Sequence, residues 1–473
     1  MALTVVEQPS PLQRQNNKND DLPPPPEVAI TPCDPWPRPY YLEGGLRRVK
    51  PYHYTYNTWC KERWRGRPIL EIFEDEFRDR PVEYYRNCLE TGAIQINGRP
   101  VLSPSQIVQN GDLISHTLHR HEPPVTALPI LTVHESADLL VINKPSGIPV
   151  HPAGRYRYNS VVEILRSERG HGFDPLPCNR LDRLTSGIMF IAKHKEAAER
   201  MTVQLTKRTV RKEYVCRVKG EFPSGLVECD MPVLQISPKL GLNRVRANGK
   251  TARTVFERVA YYPPRNDDGG TKGEQQGPGG EKGSKADETD DHDAQTGTRS
   301  DGYSIVLARP LTGRTHQIRV HLQYLGHPIG NDPIYSNQSV FGPSLGAGAS
   351  DGADDESVME RLGRMGKTEV AQAVAWHDEM VGEYNRKKAE KLSGETCEVC
   401  GTELYTDPDA RELGIWLHAR RYECADGKWG YETGLPKWAL PPGSEEGEEV
   451  VVKEAKVLGD LEGALAETKI EET

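Results

Sequence analysis

The stretch ILTVHESADLLVINKPSGIPV, residues 130–150, reads as two strands around a turn at Asp138, closed by a Pro-Ser-Gly loop. Both runs are short, apolar and bounded by turn residues, which fits buried strands better than helices. Downstream, a helix is expected from Ser160 to about Arg169 and a strand over Gly187–Ala192 (GIMFIA). A second helix follows over Glu196–Thr206, then strands over Glu213–Val218 and Val255–Ala260. Strands at irregular spacing, mixed with helices, predict an α+β fold with a mixed, largely antiparallel sheet.

Upstream, Ile69, Leu70, Ile72, Phe73 and Phe77 predict one amphipathic helix, and Pro81–Thr91 (PVEYYRNCLET) a second. Gly92–Gly98 alternates apolar and polar residues and ends in Asn-Gly, a hairpin turn, with Arg99–Val101 returning and Asn110–Ser115 opening another strand. The helical pair, the Thr91-Gly92 helix stop, the INGRPV hairpin and the NGDLIS strand resemble a small RNA-binding module first known from a ribosomal protein. Before it, Tyr41–Arg65 is rich in Tyr, Trp and basic residues. Such a segment can pack its rings on the next domain, or stack on bases and contact phosphates.

Charge is unevenly spread over the 473 residues, whose net charge is −9. Arg265–Asp301 carries a net −5 and Ser444–Thr473 a net −7, whereas Tyr41–Ala260 carries 34 basic and 24 acidic residues. An acidic chain of pI about 5.9 therefore contains a basic segment, compatible with a nucleic-acid partner. Mean hydropathy is −0.65, and no run approaches the roughly 18 apolar residues that span a bilayer. Nine cysteines without a secretory signal point to a reducing compartment. The N-terminus has no apolar core and is not Arg-rich, so a cytoplasmic, and also nuclear, location is expected.

Two motifs could carry chemistry. In Arg180–Gly187 (RLDRLTSG), Asp182 sits between Arg180 and Arg183. Neighbouring positive charge lowers a carboxylate pKa, and an ionised carboxylate in a loop can serve as nucleophile or base. A structural Asp–Arg pair capping a loop has the same local sequence. In Leu311–His321 (LTGRTHQIRVH), Arg314, His316, Arg319 and His321 fall within eight positions, a set suited to clamping phosphate or carboxylate.

Together these motifs resemble the RluA-type pseudouridine synthases. The matching stretches are LLVINKPSGIPVHP (139–152), NRLDRLTSG (179–187), RKEYVCRVKG (211–220) and ARPLTGRTHQIRVHLQYLGHPIGNDPIY (308–335). IWLHARRY (415–422) and ETGLPKWA (432–439) resemble the closing strands of that domain. KPYHYTYNTWCKERW, DLISHTLHRHEPPV and the HPAGRYRYNSV loop are similar to the eukaryotic subgroup acting on uridine 32 of the tRNA anticodon loop.

The resemblance implies isomerisation of uridine to pseudouridine in RNA, with Asp182 attacking a flipped uridine at the sugar or the base. It implies that Tyr214 stacks on the base, that Arg319 pairs with Asp182, and that Arg180 fills the space the base leaves. Arg183, Arg314, His316, His151 and Arg155 are expected to contact RNA, most specifically tRNA. Neither metal nor organic cofactor is implied, and the chain is expected to act as a monomer. Asn179 departs from the bacterial pattern, which often has His there.

His377-Asp-Glu379 followed by Cys397-Glu-Val-Cys400 is loosely similar to a zinc deaminase signature. However, Thr396 replaces the Pro, and the spacing leaves no room for a deaminase sheet. Cys397 and Cys400 make half of a structural zinc site, which Cys424 or His418 could complete; one CxxC alone does not assign a metal.

The expected organisation is a disordered leader (1–40), an N-terminal extension with the small RNA-binding domain (41–122), a catalytic domain (123–440) with insertions at 264–301 and 336–412, and an acidic disordered tail (441–473). Gly342–Glu356 is expected to be a further disordered stretch, and Met359–Leu392 one or two helices. A non-catalytic RNA-binding protein on the same fold would not need the carboxylate of Asp182.

Overall fold

The computed structural model describes residues 39–77, 82–170, 172–237, 241–264, 302–352, 354–364 and 392–442. The expected leader to residue 38, nearly all of the 264–301 insertion, His377 to Glu379 and the tail from 443 lie outside them. The chain divides into two compact units. One comprises 1–127, 151–173 and 363–407; the other comprises 128–150, 174–362 and 408–473.

In the first unit the expected helices form at Ile69–Glu76 and Val82–Glu90. Ile69, Ile72, Phe73, Tyr85, Cys88 and Leu89 pack there with Ile94, Ile96 and Ile114 in one core. The Asn-Gly hairpin joins Ile94–Ile96 to Arg99–Pro100, in a four-stranded sheet with Tyr52–Trp59 and Leu113–Arg120. Within the aromatic extension, Tyr52–Trp59 thus pairs along its length with Leu113–Arg120. The buried Glu122 carboxylate accepts from the Tyr52 hydroxyl (2.6 Å) and from the backbone N–H groups of Arg157, Tyr158 and Asn159 (2.8–3.0 Å). A buried carboxylate is tolerated when it is bonded this fully, and here it fixes the 151–160 loop within the unit.

The second unit is built on a ten-stranded sheet. Its main order is Leu226–Cys229, Thr254–Tyr262, Tyr303–Pro310, Val210–Lys219, Leu417–Cys424, Ser186–Ala192, Leu139–Lys144 and Leu131–Glu135. Ser186–Ala192 and Leu417–Cys424 run parallel; the other neighbours are antiparallel. This is the mixed, largely antiparallel sheet expected from sequence. Leu139–Ile142 and Ile188–Ala192 are fully buried, as continuous apolar central strands must be.

The parallel pair meets at Gly187, opposite Ala419. Gly187 has φ +117°, and a Cβ there would lie 2.3 Å from the Ala419 carbonyl oxygen. Only glycine lets the Asp182 loop enter the sheet at this point.

Gly342–Glu356 departs from the expectation of disorder. Leu345 is buried within it, Phe341 and Val358 are buried on either side of it, and Asp354 and Asp355 receive the buried guanidinium groups of Arg244 and Arg246. Arg244 Nη1 lies 2.6 Å from Asp354 Oδ1 and 3.0 Å from Asp355 Oδ1. Two buried cations from a distant hairpin order a segment whose own apolar content could not. The helix expected over Met359–Leu392 is described only at Asp355–Arg364; Leu392 opens a strand instead.

Candidate active site

The Asp182 loop is fastened from below. Lys144, fully buried at the end of its strand, donates to the carbonyls of Pro145 (2.9 Å), Ile148 (2.8 Å) and Arg183 (3.1 Å). The Gly147 N–H also donates to the Arg183 carbonyl, and the Thr185 N–H turns back onto the Asp182 carbonyl. Ser186 bonds His418 Nδ1 (2.8 Å), and His418 Nε2 bonds Thr433 Oγ1 (2.7 Å). Burial, then the Arg420 charge, lowers the His418 pKa to about 4, so this imidazole is neutral and structural.

Leu311–His321 resolves into a turn and the helix Gln317–Tyr324, with His316 capping it at φ +58°. The Gln317 amide pins the turn: its Oε1 accepts from Thr312 Oγ1 (2.7 Å) and the Arg314 N–H (3.0 Å). Arg319 is 1% exposed. Its Nε and Nη2 donate to the two oxygens of Asp332 at 2.6 and 3.0 Å, and its Nη1 donates to Asp182 Oδ2 at 3.2 Å. One planar guanidinium thus spans a fully buried carboxylate and the Asp182 carboxylate, which stays 34% exposed. Asp332 Oδ1 also accepts the N–H groups of Ile334 and Tyr335, so the anchor is rigid.

His316 Nε2 lies 3.5 Å from Asp182 Oδ2, while its Nδ1 meets the Tyr335 hydroxyl at 3.0 Å. Burial alone would raise the Asp182 pKa. His316, then Arg319, then Arg180 outweigh it and hold the carboxyl below its usual range. Tyr214, on Val210–Lys219, bonds the Tyr422 hydroxyl at 2.7 Å. Burial first, then Tyr422 and the Asp182 charge, push the Tyr214 phenol far above its ordinary value. The site therefore presents an ionised carboxylate beside a neutral phenol.

The residues singled out from sequence part company here. Asp182, His316, Arg319 and Tyr214 gather at one place, and Arg180 is exposed beside them. The Arg183 guanidinium reaches the Glu412 carbonyl, and Arg314 Nε donates to the Thr251 carbonyl (2.9 Å). His321 turns inward to Thr254 Oγ1 and the Met231 carbonyl. His151 and Arg155 belong to the first unit, where Arg155 lies over the Tyr405 ring. Asp332 and Tyr422 were missed, although both fall inside stretches already quoted. Neither has a local signal, because their partners Arg319 and Tyr214 lie 13 and 208 positions away.

A family profile described as RNA pseudouridylate synthase matches residues 138–324. The chain is 44% identical over 410 residues to the "tRNA pseudouridine(32) synthase, mitochondrial" of Saccharomyces cerevisiae, covering 84% of this chain and 78% of that one. It is 37% identical to a pseudouridylate synthase of Mus musculus, over 86% of this chain and 74% of that one. It is also 32% identical to the "tRNA pseudouridine(31) synthase" of the same yeast, over 84% of this chain and 96% of that one.

Proposed function

The chain belongs to the RluA-type RNA pseudouridine synthases, and on that premise we propose that it isomerises uridine 32 of the tRNA anticodon loop with Asp182 as the nucleophile. The observation that carries the assignment of Asp182 is its carboxylate, left 34% exposed while Arg319 and His316 hold it charged. Isomerisation breaks the N1–C1′ bond, turns the uracil, forms a C5–C1′ bond, gives the C5 proton up to solvent and leaves N1 carrying a proton in its place. Atoms and electrons balance without an outside oxidant or reductant. Asp182 attacks the flipped nucleotide at sugar or base and is released when the new bond forms. Tyr214 supports the base by stacking, and exposed Arg180 enters the space the base vacates. Flipping costs a few kcal/mol, less in a loop than in a duplex, which suits an anticodon-loop substrate.

Position 32 is supported by the relative that carries it in its name, and position 31 by the more distant one. Chemical mapping of pseudouridine in total RNA, from cells carrying the wild-type chain or Asp182→Ala, decides between them. Loss at position 32 alone supports the proposal; loss at 31, or at neither, overturns the assignment. The cytoplasm is proposed as the compartment, while that yeast relative is named mitochondrial. Fractionation of the tagged full chain tests this.

A pH dependence follows. The folded Asp182 pKa lies below the ordinary value of about 3.9, so ionised Asp182 contributes stability above that pH and loses it as pH falls through the folded pKa. Tyr214 stays protonated through neutral pH. The single-turnover rate is expected to be flat from about pH 5 to about pH 9, given ordinary values near 3.9 and 10 for the two groups. An acid limb near neutrality would contradict the charge state assigned to Asp182.

A further inference from the structure

We propose that the first unit holds a structural zinc ion on His119, His121, Cys397 and Cys400. His119 is the penultimate residue of the strand Leu113–Arg120 and His121 directly follows the strand, so two residues along an extended chain turn both imidazoles to one side. The cysteines lie on the turn between the strands Leu392–Thr396 and Glu403–Tyr405. That turn is closed by the Cys397 N–H on the Thr402 carbonyl and the Gly401 N–H on the Cys397 carbonyl, both 2.8 Å, with Gly401 at φ +63°.

The ligand atoms converge. Cys397 Sγ is 3.5 Å from His119 Nδ1, and Cys400 Sγ is 3.3 Å from His121 Nε2. All four atoms lie within 4.8 Å of one another. A tetrahedral zinc with Zn–S about 2.3 Å and Zn–N about 2.0 Å separates nitrogen from sulfur by about 3.5 Å. The spacing therefore already suits the ion. Four protein ligands close the coordination sphere, which is the structural kind of site and not the catalytic kind.

The hairpin needs such a fastening. Residues 393–396, 398 and 399 are exposed, and only Leu392↔Tyr405 and Thr396↔Glu403 pair across it. A bare two-stranded hairpin is marginal in water, and metal binding supplies folding free energy where a core cannot. The same hairpin carries Tyr405, over which Arg155 of the 151–160 loop lies, and precedes Asp407, which takes both Nη groups of Arg48 at 2.7 Å. Zinc at one end and the Arg48 pair at the other would hold Tyr405 beneath Arg155. The completing ligands considered from sequence do not take part: His418 is committed to Ser186 and Thr433, and Cys424 is a buried strand residue.

The test is metal content of the full-length chain, purified in reductant and loaded with zinc, by elemental mass spectrometry. About one zinc per chain is expected, lost in Cys400→Ser and in His121→Ala and kept in Cys424→Ser. Cobalt substituted into the wild type should give the intense visible bands of a tetrahedral ion and a thiolate charge-transfer band, a readout independent of how the variants fold. Wild type that retains no zinc, zinc retained by the Cys397→Ser/Cys400→Ser double variant, or octahedral cobalt without thiolate bands would each overturn the proposal.

Discussion

Asp182→Asn is expected to abolish pseudouridine formation while leaving the fold intact. The amide keeps the size of the carboxylate and can still meet Arg319 Nη1 with its oxygen, so the chain should still fold cooperatively, with a thermal midpoint lowered only by the contribution of the lost charge. The charge is what is lost. An amide is a poor nucleophile, and removal of a nucleophile costs on the order of 10⁴-fold or more in rate. Tritium release from uridine labelled at C5 reads this directly, because forming the C5–C1′ bond expels the C5 hydrogen. Calorimetry beside it separates chemistry from folding. A variant retaining a tenth of the wild-type rate would remove Asp182 from the chemistry and leave it a loop-capping residue.

Asp332→Ala is expected to damage both stability and rate. Arg319 would remain fully buried with only the partly exposed Asp182 to neutralise it. Breaking a buried pair from one side costs about 3–5 kcal/mol, because it strands a charge. The backbone of Ile334 and Tyr335 would lose its acceptor as well. Freed from its anchor, Arg319 would swing toward Asp182 and no longer aim it, so the surviving folded enzyme should lose rate without a matching loss of RNA affinity. Asp332→Asn, which keeps an acceptor and the volume, guards against simple unfolding and should fall between. Arg319→Lys should resemble Asp332→Ala in rate, since one ammonium cannot reproduce a fork bonded to two carboxylates. An unchanged denaturation midpoint in Asp332→Ala would show that the pair does not carry the site.

What the sequence revealed follows the range of its signals. The apolar runs at 139–142 and 188–192, the helix periods at 69–76 and 82–90 and the Asn-Gly hairpin are local, and they appear where expected. Asp182 and Arg319 announced themselves by charge density in short motifs. The remaining parts of the site are made by pairings across the chain, which no period records. Asp332 is one unmarked residue of the stretch 308–335 until Arg319 meets it from a helix. The order of Gly342–Glu356 depends on Arg244 and Arg246, about a hundred positions earlier. Cys397 and Cys400 show half of a metal site, and its proposed other half lies some 280 positions upstream, at the end of a strand and just past it.

Conversion of one anticodon-loop uridine by Asp182 can be followed in a single assay. The purified full-length protein is incubated with transcribed tRNA carrying either uridine or cytidine at position 32, and tritium release and the modified position are followed together. Release is expected from the uridine-32 transcript alone, with pseudouridine at that position and none made by Asp182→Asn. Equal release from both transcripts, or pseudouridine made by Asp182→Asn, would contradict it.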